Sequence, residues 1–383
     1  AQYELGSDVA FKDAPLVGTH NSFNSVAEMG PGLPELKSNQ DETLAAQLDF
    51  GVRELELDLH REPNGDGSDD RPVVCHAVPD VGCIAVHDLK PFLGEISTWL
   101  ARPENSAQVV LLYLEDGLDN LGLHNSAAKQ IDKELGDYLF APTGRGCREV
   151  SDDVTRDDIR AQGKQLLIVS GCGKGSAWHS IAFSWEDHHR ESRPQGFEDF
   201  PACGPDYKLR EYKATLIRYY EDVTRTGTGT GGADDGLTPE TTAAMVRCGV
   251  DMLSFDRLEP FDGRLEGTIW SWAPEEPSTG RCALIRTGEN LPFGRWVSAP
   301  CGSLAARPAC RVGRKWLVGH RRLDPHKAEL YCERHHAQLS VPRSGYENQL
   351  LRLAMEKAKT RSALLGYRLK RGEWTPSDAR GGA

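Results

Sequence analysis

Residues 52–60 read VRELELDLH, and the first residues able to do chemistry lie there. Leu55, Leu57 and Leu59 alternate with Glu54, Glu56, Asp58 and His60, the period-2 pattern of a strand with one apolar and one polar face. Three carboxylates in a row on one face repel one another unless a cation sits among them. A solvated edge strand is the plainer alternative. Glu56 and Asp58 are two apart, so both point to one side and can hold one ion. Asn21 in PLVGTHNS and Glu115 in QVVLLYLED supply further oxygen donors. An oxygen set without thiolate suits Ca²⁺, with Mg²⁺ as second choice. Glu54, deeper along the strand, is expected to pair with an interior Arg or Lys.

His20 and His76 are not needed for that ion. Two imidazoles beside a divalent cation suit general acid–base work on a phosphodiester. One takes a proton from an attacking hydroxyl and the other gives one to the leaving oxygen. We expect His20 at the hydroxyl and His76 at the leaving group. The cation lowers the nucleophile's pKa and offsets charge on the non-bridging oxygens. Arg218 can grip the phosphate bidentately.

These residues need a scaffold that gathers strand ends. Strand-like runs at 15–22, 52–60, 73–78, 108–116, 164–171, 179–185, 214–222 and 251–258 alternate with helical patterns at 41–51, 88–100, 127–139 and 239–249. Eight strands with intervening helices predict α/β architecture, a distorted (β/α)8 TIM barrel whose strand ends share one rim. A doubly wound open sheet is second, but GTHNS is not the Gly-rich phosphate loop that it would want. Strand 8 offers Asp256 to the same rim. The Gly/Thr run RTGTGTGGADDG (225–236) is expected to be a loop there. Residues 1–265 are assigned to the barrel. Composition changes near residue 266, and 266–383 are assigned to a small Trp- and Cys-rich accessory module with Trp270, Trp272, Trp296 and Trp316 as its core.

The formal charge of −12 leaves no basic footprint for nucleic acid and does not favour adsorption to an anionic membrane. No apolar run is long enough to span a bilayer. Ten cysteines without a CxxC pattern indicate a disulfide-bonded, secreted and extracellular protein, with Cys75–Cys83 the one pair suggested by its short loop. No signal peptide is visible in the opening AQYELGSDVAF, which is compatible with a mature N-terminus. A monomer is expected.

His20–Asn21, the ELD of 56–58, His76 in VCH and Glu115 in LYLE resemble the catalytic core of calcium-dependent phosphoinositide-specific phospholipase C, in order and strand by strand. Residues 11–273 look most like the secreted actinobacterial branch. The resemblance implies His20 and His76 as catalytic residues, with Asn21, Glu56, Asp58 and Glu115 as calcium ligands. RYY at 218–220 is similar to an inositol-contacting Arg-x-Tyr, which makes Arg218 and Tyr220 substrate contacts, and Lys174 is the candidate for a strand-5 basic residue. It further implies phosphatidylinositol as substrate, transient contact with a membrane interface, and cleavage to diacylglycerol and inositol phosphates through a cyclic phosphate. The accessory domains of the eukaryotic enzymes are absent, and no hydrophobic ridge for membrane insertion is evident.

A glycerophosphodiester phosphodiesterase is the alternative. It usually has Arg after the first His and Asp after the second, where this chain has Asn21 and Ala77. A secreted, non-catalytic binding protein is the second alternative. Blander roles fit other residues: a strand cap for His60, a solvated loop for His188–His189, packing for Trp178 and Trp185, and a loop cap or supporting partner for Asp116. The accessory module has a faint likeness to C-type lectin-like domains but shows no paired acidic–Pro–Asn sugar motif.

Overall fold

The computed structural model describes residues 2–378, apart from 30–37, 64–69, 79–81, 186–189, 193–196, 204–217, 222–235 and 251. His188–His189 and nearly all of the 225–236 run lie outside the described residues. The chain divides into two units: Ser7–Thr242 with Val250–Glu266, and Ala1–Gly6 with Ala243–Gly249 and Gly267–Ala383.

The first unit holds a ten-stranded sheet: β1 (Leu16–Thr19), β2 (Glu54–Glu62), β3 (Arg71–Val78), β4 (Gly82–Asp88), β5 (Val110–Asp116), β6 (Leu166–Ser170), β7 (Phe183–Ser184), β8 (Arg190–Ser192), β9 (Arg218–Glu221) and β10 (Met252–Phe255). Its main path runs β7-β6-β5-β2-β1-β10-β9-β8, and every neighbouring pair on it is parallel. Those eight strands therefore follow chain order, with the last returning to pair with the first. This is the strand order of a (β/α)8 barrel. Among the described residues β7 and β8 share no ladder, so the sheet is not closed there.

The edge-strand alternative for 52–60 falls, because β2 lies between β1 and β5. One expectation is corrected. Residues 73–78 are no parallel strand of the main path. They belong to β3, which runs antiparallel to β2 and then to β4 as a hairpin beside the main path. The physical reason is connection length. A parallel return needs a crossover of about a dozen residues or more, and too few separate Glu62 from Arg71. Arg71 Nη2 and Glu62 Oε2 instead close the turn at 2.5 Å. The eighth parallel strand is β8, within a run that reads as a loop.

Helices cover the outward side of these strands. Helix Leu89–Leu100 buries Leu89, Phe92, Leu93, Ile96, Trp99 and Leu100, an i, i+3, i+4, i+7 stripe. The outward leucines of β2, Leu55, Leu57 and Leu59, are fully buried. Each fully buried Leu contributes about 1.5–3 kcal/mol, so the apolar face of β2 anchors the strand while its polar face is held inward. Helix Leu121–Leu135 starts at Asn120, whose side chain accepts from Leu123 N. Gly18 is required by close approach: a Cβ there would overlap the Glu54 carboxylate and come within 2.9 Å of Ser254 Oγ.

The second unit holds β11 (Cys282–Gly288), β12 (Leu291–Ala299), β13 (Arg307–Val312), β14 (Lys315–Val318), β15 (Gln338–Leu339), β16 (Ser362–Lys370) and β17 (Glu373–Pro376), in the order β12-β11-β16-β13-β14 with β15 on β13 and β17 on β16. Helices Pro325–Arg334 and Gly345–Lys357 accompany this sheet. Disulfides Cys282–Cys301 and Cys310–Cys332 run through its core cluster. Trp270, Trp272, Trp296, Tyr367 and Trp374 form one aromatic cluster, with ring centroids 4.7–6.1 Å apart. Trp316 lies on β14, half-buried. No cysteine is free, and no described helix is long and apolar enough to cross a membrane.

Candidate active site

The chain turns sharply where β1 ends. His20 N donates to Phe255 O at 3.0 Å, continuing the β1–β10 ladder by one step. Asn21 then adopts φ +45°, a left-handed conformation that Asn tolerates better than most side chains. The turn is fastened to β2: Asn21 N donates to Glu56 Oε2 at 2.9 Å, Ser22 N to Glu56 O at 3.1 Å, and Glu56 N to Ser22 Oγ at 2.8 Å. Gln40 Nε2 donates to the carbonyls of both His20 and Phe255 at 2.7 Å. Buried backbone at the strand ends thus finds partners, and the side chains of His20 and Asn21 are held in place.

The carboxylates come from strand register. Asp58 lies opposite Glu115 on neighbouring parallel strands, and Glu56 lies one pair of residues deeper, opposite Tyr113. One oxygen from each of Glu56, Asp58 and Glu115 lies within 4.8 Å of the others. Glu56 and Asp58 are 2% and 4% exposed, whereas Glu115 is exposed. Burying two carboxylates so close together is costly without compensating positive charge. The Asn21 amide sits between His20 Nε2 and the Asp58 carboxylate. In one orientation its Nδ2 donates to Asp58 Oδ2 and Oδ1 at 2.5 and 2.9 Å, and its Oδ1 accepts from His20 Nε2 at 2.9 Å. Turned over, it brings Nδ2 to His20 Nε2 and points Oδ1 at the same carboxylate, an arrangement favourable only with a cation between them. The donor set is all oxygen and fits a hard divalent cation. Deeper still, Glu54 Oε2 accepts from Ser254 Oγ at 2.7 Å.

The two histidines are joined by a buried polar chain. His20 Nδ1 lies 2.9 Å from Asp256 Oδ1, which also accepts from Asn39 Nδ2 at 2.9 Å. Asn39 Oδ1 accepts from Asn24 Nδ2 at 2.5 Å, and Asn24 Nδ2 lies 3.5 Å from His76 Nδ1. Asn24, Asn39 and Asp256 are buried, and His76 is half-buried. With Nδ1 donating to Asp256, a neutral His20 has its lone pair on Nε2, which goes with the Asn21 orientation that brings Nδ2 to it and turns Oδ1 toward the cation site. His76 is carried by the β3–β4 hairpin, whose register shifts between Val74 and His76 and which the Cys75–Cys83 disulfide staples next to the histidine.

The other expected residues stand apart from this cluster or outside its description. Arg218 and Tyr220 lie on β9, with Tyr220 opposite Leu253 of β10, and their side chains lie outside the described residues. Lys174 is exposed, and its Nζ donates to Asp119 O in the loop after β5. His60 packs close to Gly117, and burial holds its pKa below the usual value. Its closeness to Cys75 and Cys83 makes no metal site, because both thiols are in a disulfide. Asp116 caps the loop that follows β5. It accepts from Leu118 N at 3.0 Å and meets buried His124 Nε2 at 3.0 Å, fixing the end of β5 next to Glu115. Trp178 and Trp185 are packing residues, and Trp185 stacks on Tyr113 with centroids 4.8 Å apart.

Sequence reasoning placed Asp256 on the rim without giving it a partner, and it missed Asn24 and Asn39 altogether. The signal for Asp256 was available: in a cyclic strand order the last strand borders the first, and Asp256 follows Phe255 as His20 follows Thr19. Asn39 follows an irregular connection, and no periodicity marks it.

The Rv2075c PI-PLC-like domain family matches residues 1–262. The Mycobacterium tuberculosis protein Rv2075c is 35% identical over 372 residues, 91% of this chain and 75% of the relative. The PI-PLC X domain-containing protein 1 of Arthroderma benhamiae is 29% identical over 164 residues, 42% of this chain and 47% of that protein. Among solved structures, the phosphatidylinositol-specific phospholipase C of Listeria monocytogenes aligns with TM-score 0.45 at 13% identity, over 69% of this chain and 96% of that one. The calcium-dependent phosphoinositol-specific phospholipase C of a Pseudomonas species aligns with TM-score 0.40 at 13% identity, over 67% and 96%. By the extent of the family match and the identity to Rv2075c, the chain belongs to the Rv2075c PI-PLC-like family, an enzyme of the phosphoric diester hydrolase class.

Proposed function

We propose that the protein is a secreted, calcium-dependent phospholipase C that cleaves phosphatidylinositol to diacylglycerol and an inositol phosphate through an inositol cyclic phosphate. The observation that carries this reading is the meeting of Glu56, Asp58 and Glu115 within 4.8 Å, beside a histidine tied to a buried aspartate. The cyclic strand order supports a distorted (β/α)8 barrel as the scaffold. The disulfides support an oxidising, extracellular setting.

Asn21, Glu56, Asp58 and Glu115 would hold Ca²⁺. Bound there, Ca²⁺ would lower the pKa of the inositol hydroxyl and offset charge on the phosphate. His20, oriented through Nδ1 by Asp256, takes the hydroxyl proton on Nε2. The hydroxyl oxygen bonds to phosphorus, and the bond from phosphorus to the glycerol oxygen breaks. His76 is assigned to the leaving oxygen: as the imidazolium it delivers a proton there and is left as the neutral imidazole. Arg218, Tyr220 and Lys174 are assigned to the headgroup. Contact with the membrane is transient, and the protein works as a monomer.

The test is a direct comparison of phosphatidylinositol with glycerophosphoinositol as substrates in calcium. Preferred cleavage of the lipid, with release of diacylglycerol, supports the proposal. Preferred cleavage of the soluble diester makes the protein a glycerophosphodiester phosphodiesterase. Turnover of neither, with ligand binding retained in His20→Ala, makes it a binding protein.

A further inference from the structure

Formal charge is divided unevenly along the chain. Residues 267–383 carry 20 Lys and Arg against 10 Asp and Glu, a net of +10, so the −12 of the whole leaves −22 on residues 1–266. The acidic balance that disfavours an anionic surface therefore belongs to the catalytic unit. Such asymmetry between the parts of a chain points to a polyanionic partner for the basic part.

Within the second unit the basic residues concentrate in 307–327, which holds seven Lys and Arg against one acidic residue, Asp324. This segment forms β13, a turn, β14 and the run into helix Pro325–Arg334. Among the described residues β14 pairs with β13 alone, so it is an edge strand. Val312 lies opposite Lys315 and Cys310 opposite Leu317, which sets Val312, Lys315 and Leu317 on one face. Val312 is 46% exposed and Leu317 41%. Arg314 and Lys315 are exposed at the turn, and Arg321 and Arg322 are exposed just past the strand.

Among the described residues, these four cations hold no part of the fold together, whereas others do. Arg311, Arg343, Arg352 and Arg368 are ion-paired to Glu347, Asp378, Glu356 and Glu329. Among the described residues, the side chains of Arg314, Lys315, Arg321 and Arg322 make neither an ion pair nor a hydrogen bond. Lysine on an edge strand protects against aggregation, but that role does not account for exposed Val312 and Leu317 between unpaired cations. Basic groups around an apolar face match an anionic lipid surface, where each Lys or Arg near the headgroups adds attraction and the apolar side chains reach the acyl boundary.

We propose that the β13–β14 edge of the second unit docks on anionic phospholipid, with Arg314, Lys315, Arg321 and Arg322 on headgroup phosphates and Val312 and Leu317 against the lipid. The choice of lipid over nucleic acid rests on the phospholipase reading. The experiment does not, because it needs no turnover.

The full chain carrying His20→Ala is sedimented, in EGTA, with phosphatidylcholine vesicles with and without phosphatidylglycerol, which is not the proposed substrate. Binding to the anionic vesicles alone is expected. Raised salt, or Arg314→Gln, Lys315→Gln, Arg321→Gln and Arg322→Gln together, should weaken it at least about tenfold. Leu317→Ser should weaken binding and leave its salt dependence unchanged. Equal binding by the quadruple variant, equal binding to neutral vesicles, absence of binding, or displacement by a duplex oligonucleotide would each overturn the assignment. Should vesicles bind as stated while the parent protein fails to cleave phosphatidylinositol, the catalytic reading falls and the docking surface stands.

Discussion

His20 Nδ1 and Asp256 Oδ1 stand 2.9 Å apart, brought together across 236 residues where the last parallel strand pairs with the first. The contact sets which imidazole nitrogen holds the proton, and Asn39 helps to hold the carboxylate by donating to the same oxygen. Asp256→Asn keeps the volume and removes the carboxylate. We expect kcat on phosphatidylinositol to fall by ~10²–10⁴-fold, with a small change in melting temperature. A change confined to KM would contradict the orienting role.

Calcium should stabilise the folded chain, because Asn21, Glu56, Asp58 and Glu115 are gathered only in that state. At about a hundredfold excess over Kd the gain is about 2.7 kcal/mol. A thermal melt with calcium and with EGTA reads it without any substrate. Glu56→Gln and Asp58→Asn should each shrink the calcium-dependent rise, and EGTA should abolish turnover. An identical rise in both variants would show that calcium binds elsewhere.

Burial, and then the neighbouring Glu95 carboxylate, push the Glu28 carboxyl from its ordinary 4.5 up to about 7. Glu95 itself accepts from Ala45 N at 2.8 Å, at the start of helix Leu44–Asp49. The folded chain keeps the Glu28 proton to about pH 7, and the unfolded chain gives it up near 4.5. The stabilising contribution is therefore complete below the unfolded value and is lost as pH rises through the folded one. Glu28→Gln should reduce the difference in melting temperature between about pH 5 and about pH 8. An unchanged difference would mean that Glu28 titrates normally.

Gly18 gives way to the Glu54 carboxylate inside the sheet. Gly18→Ala should cost ~1–3 kcal/mol by overpacking, read as a lowered denaturant midpoint. The same substitution at Gly51, which has nothing within 4 Å of its Cβ position but a φ of +110°, tests backbone strain without crowding. Equal effects at the two positions would remove the steric explanation.

The alternation in VRELELDLH showed which face of β2 is polar, and the order of His20, Asn21, Glu56, Asp58 and Glu115 along successive strands revealed the carboxylate cluster. The first follows from period-2 geometry, which a sequence carries directly, and the second from parallel neighbours whose ends share one rim. The hairpin of β3 and β4 was misread because VVCHAV has the composition of a buried parallel strand. The short connection from Glu62 to Arg71 could have excluded that. Asn24 and Asn39 were invisible because their role depends on loop paths that bring distant polar groups together, and no local pattern encodes such paths. The edge at β14 was overlooked for another reason: net charge was taken over the whole chain, which concealed a basic module behind an acidic one.

Phosphorus NMR of phosphatidylinositol turnover follows the calcium requirement, the His20 requirement and the cyclic phosphate in one experiment. With calcium, a transient cyclic inositol phosphate signal should appear as the lipid signal decays, and no product should form with EGTA or with His20→Ala. Turnover that persists in EGTA, or a product pattern without any cyclic phosphate at any time, would contradict the proposed function.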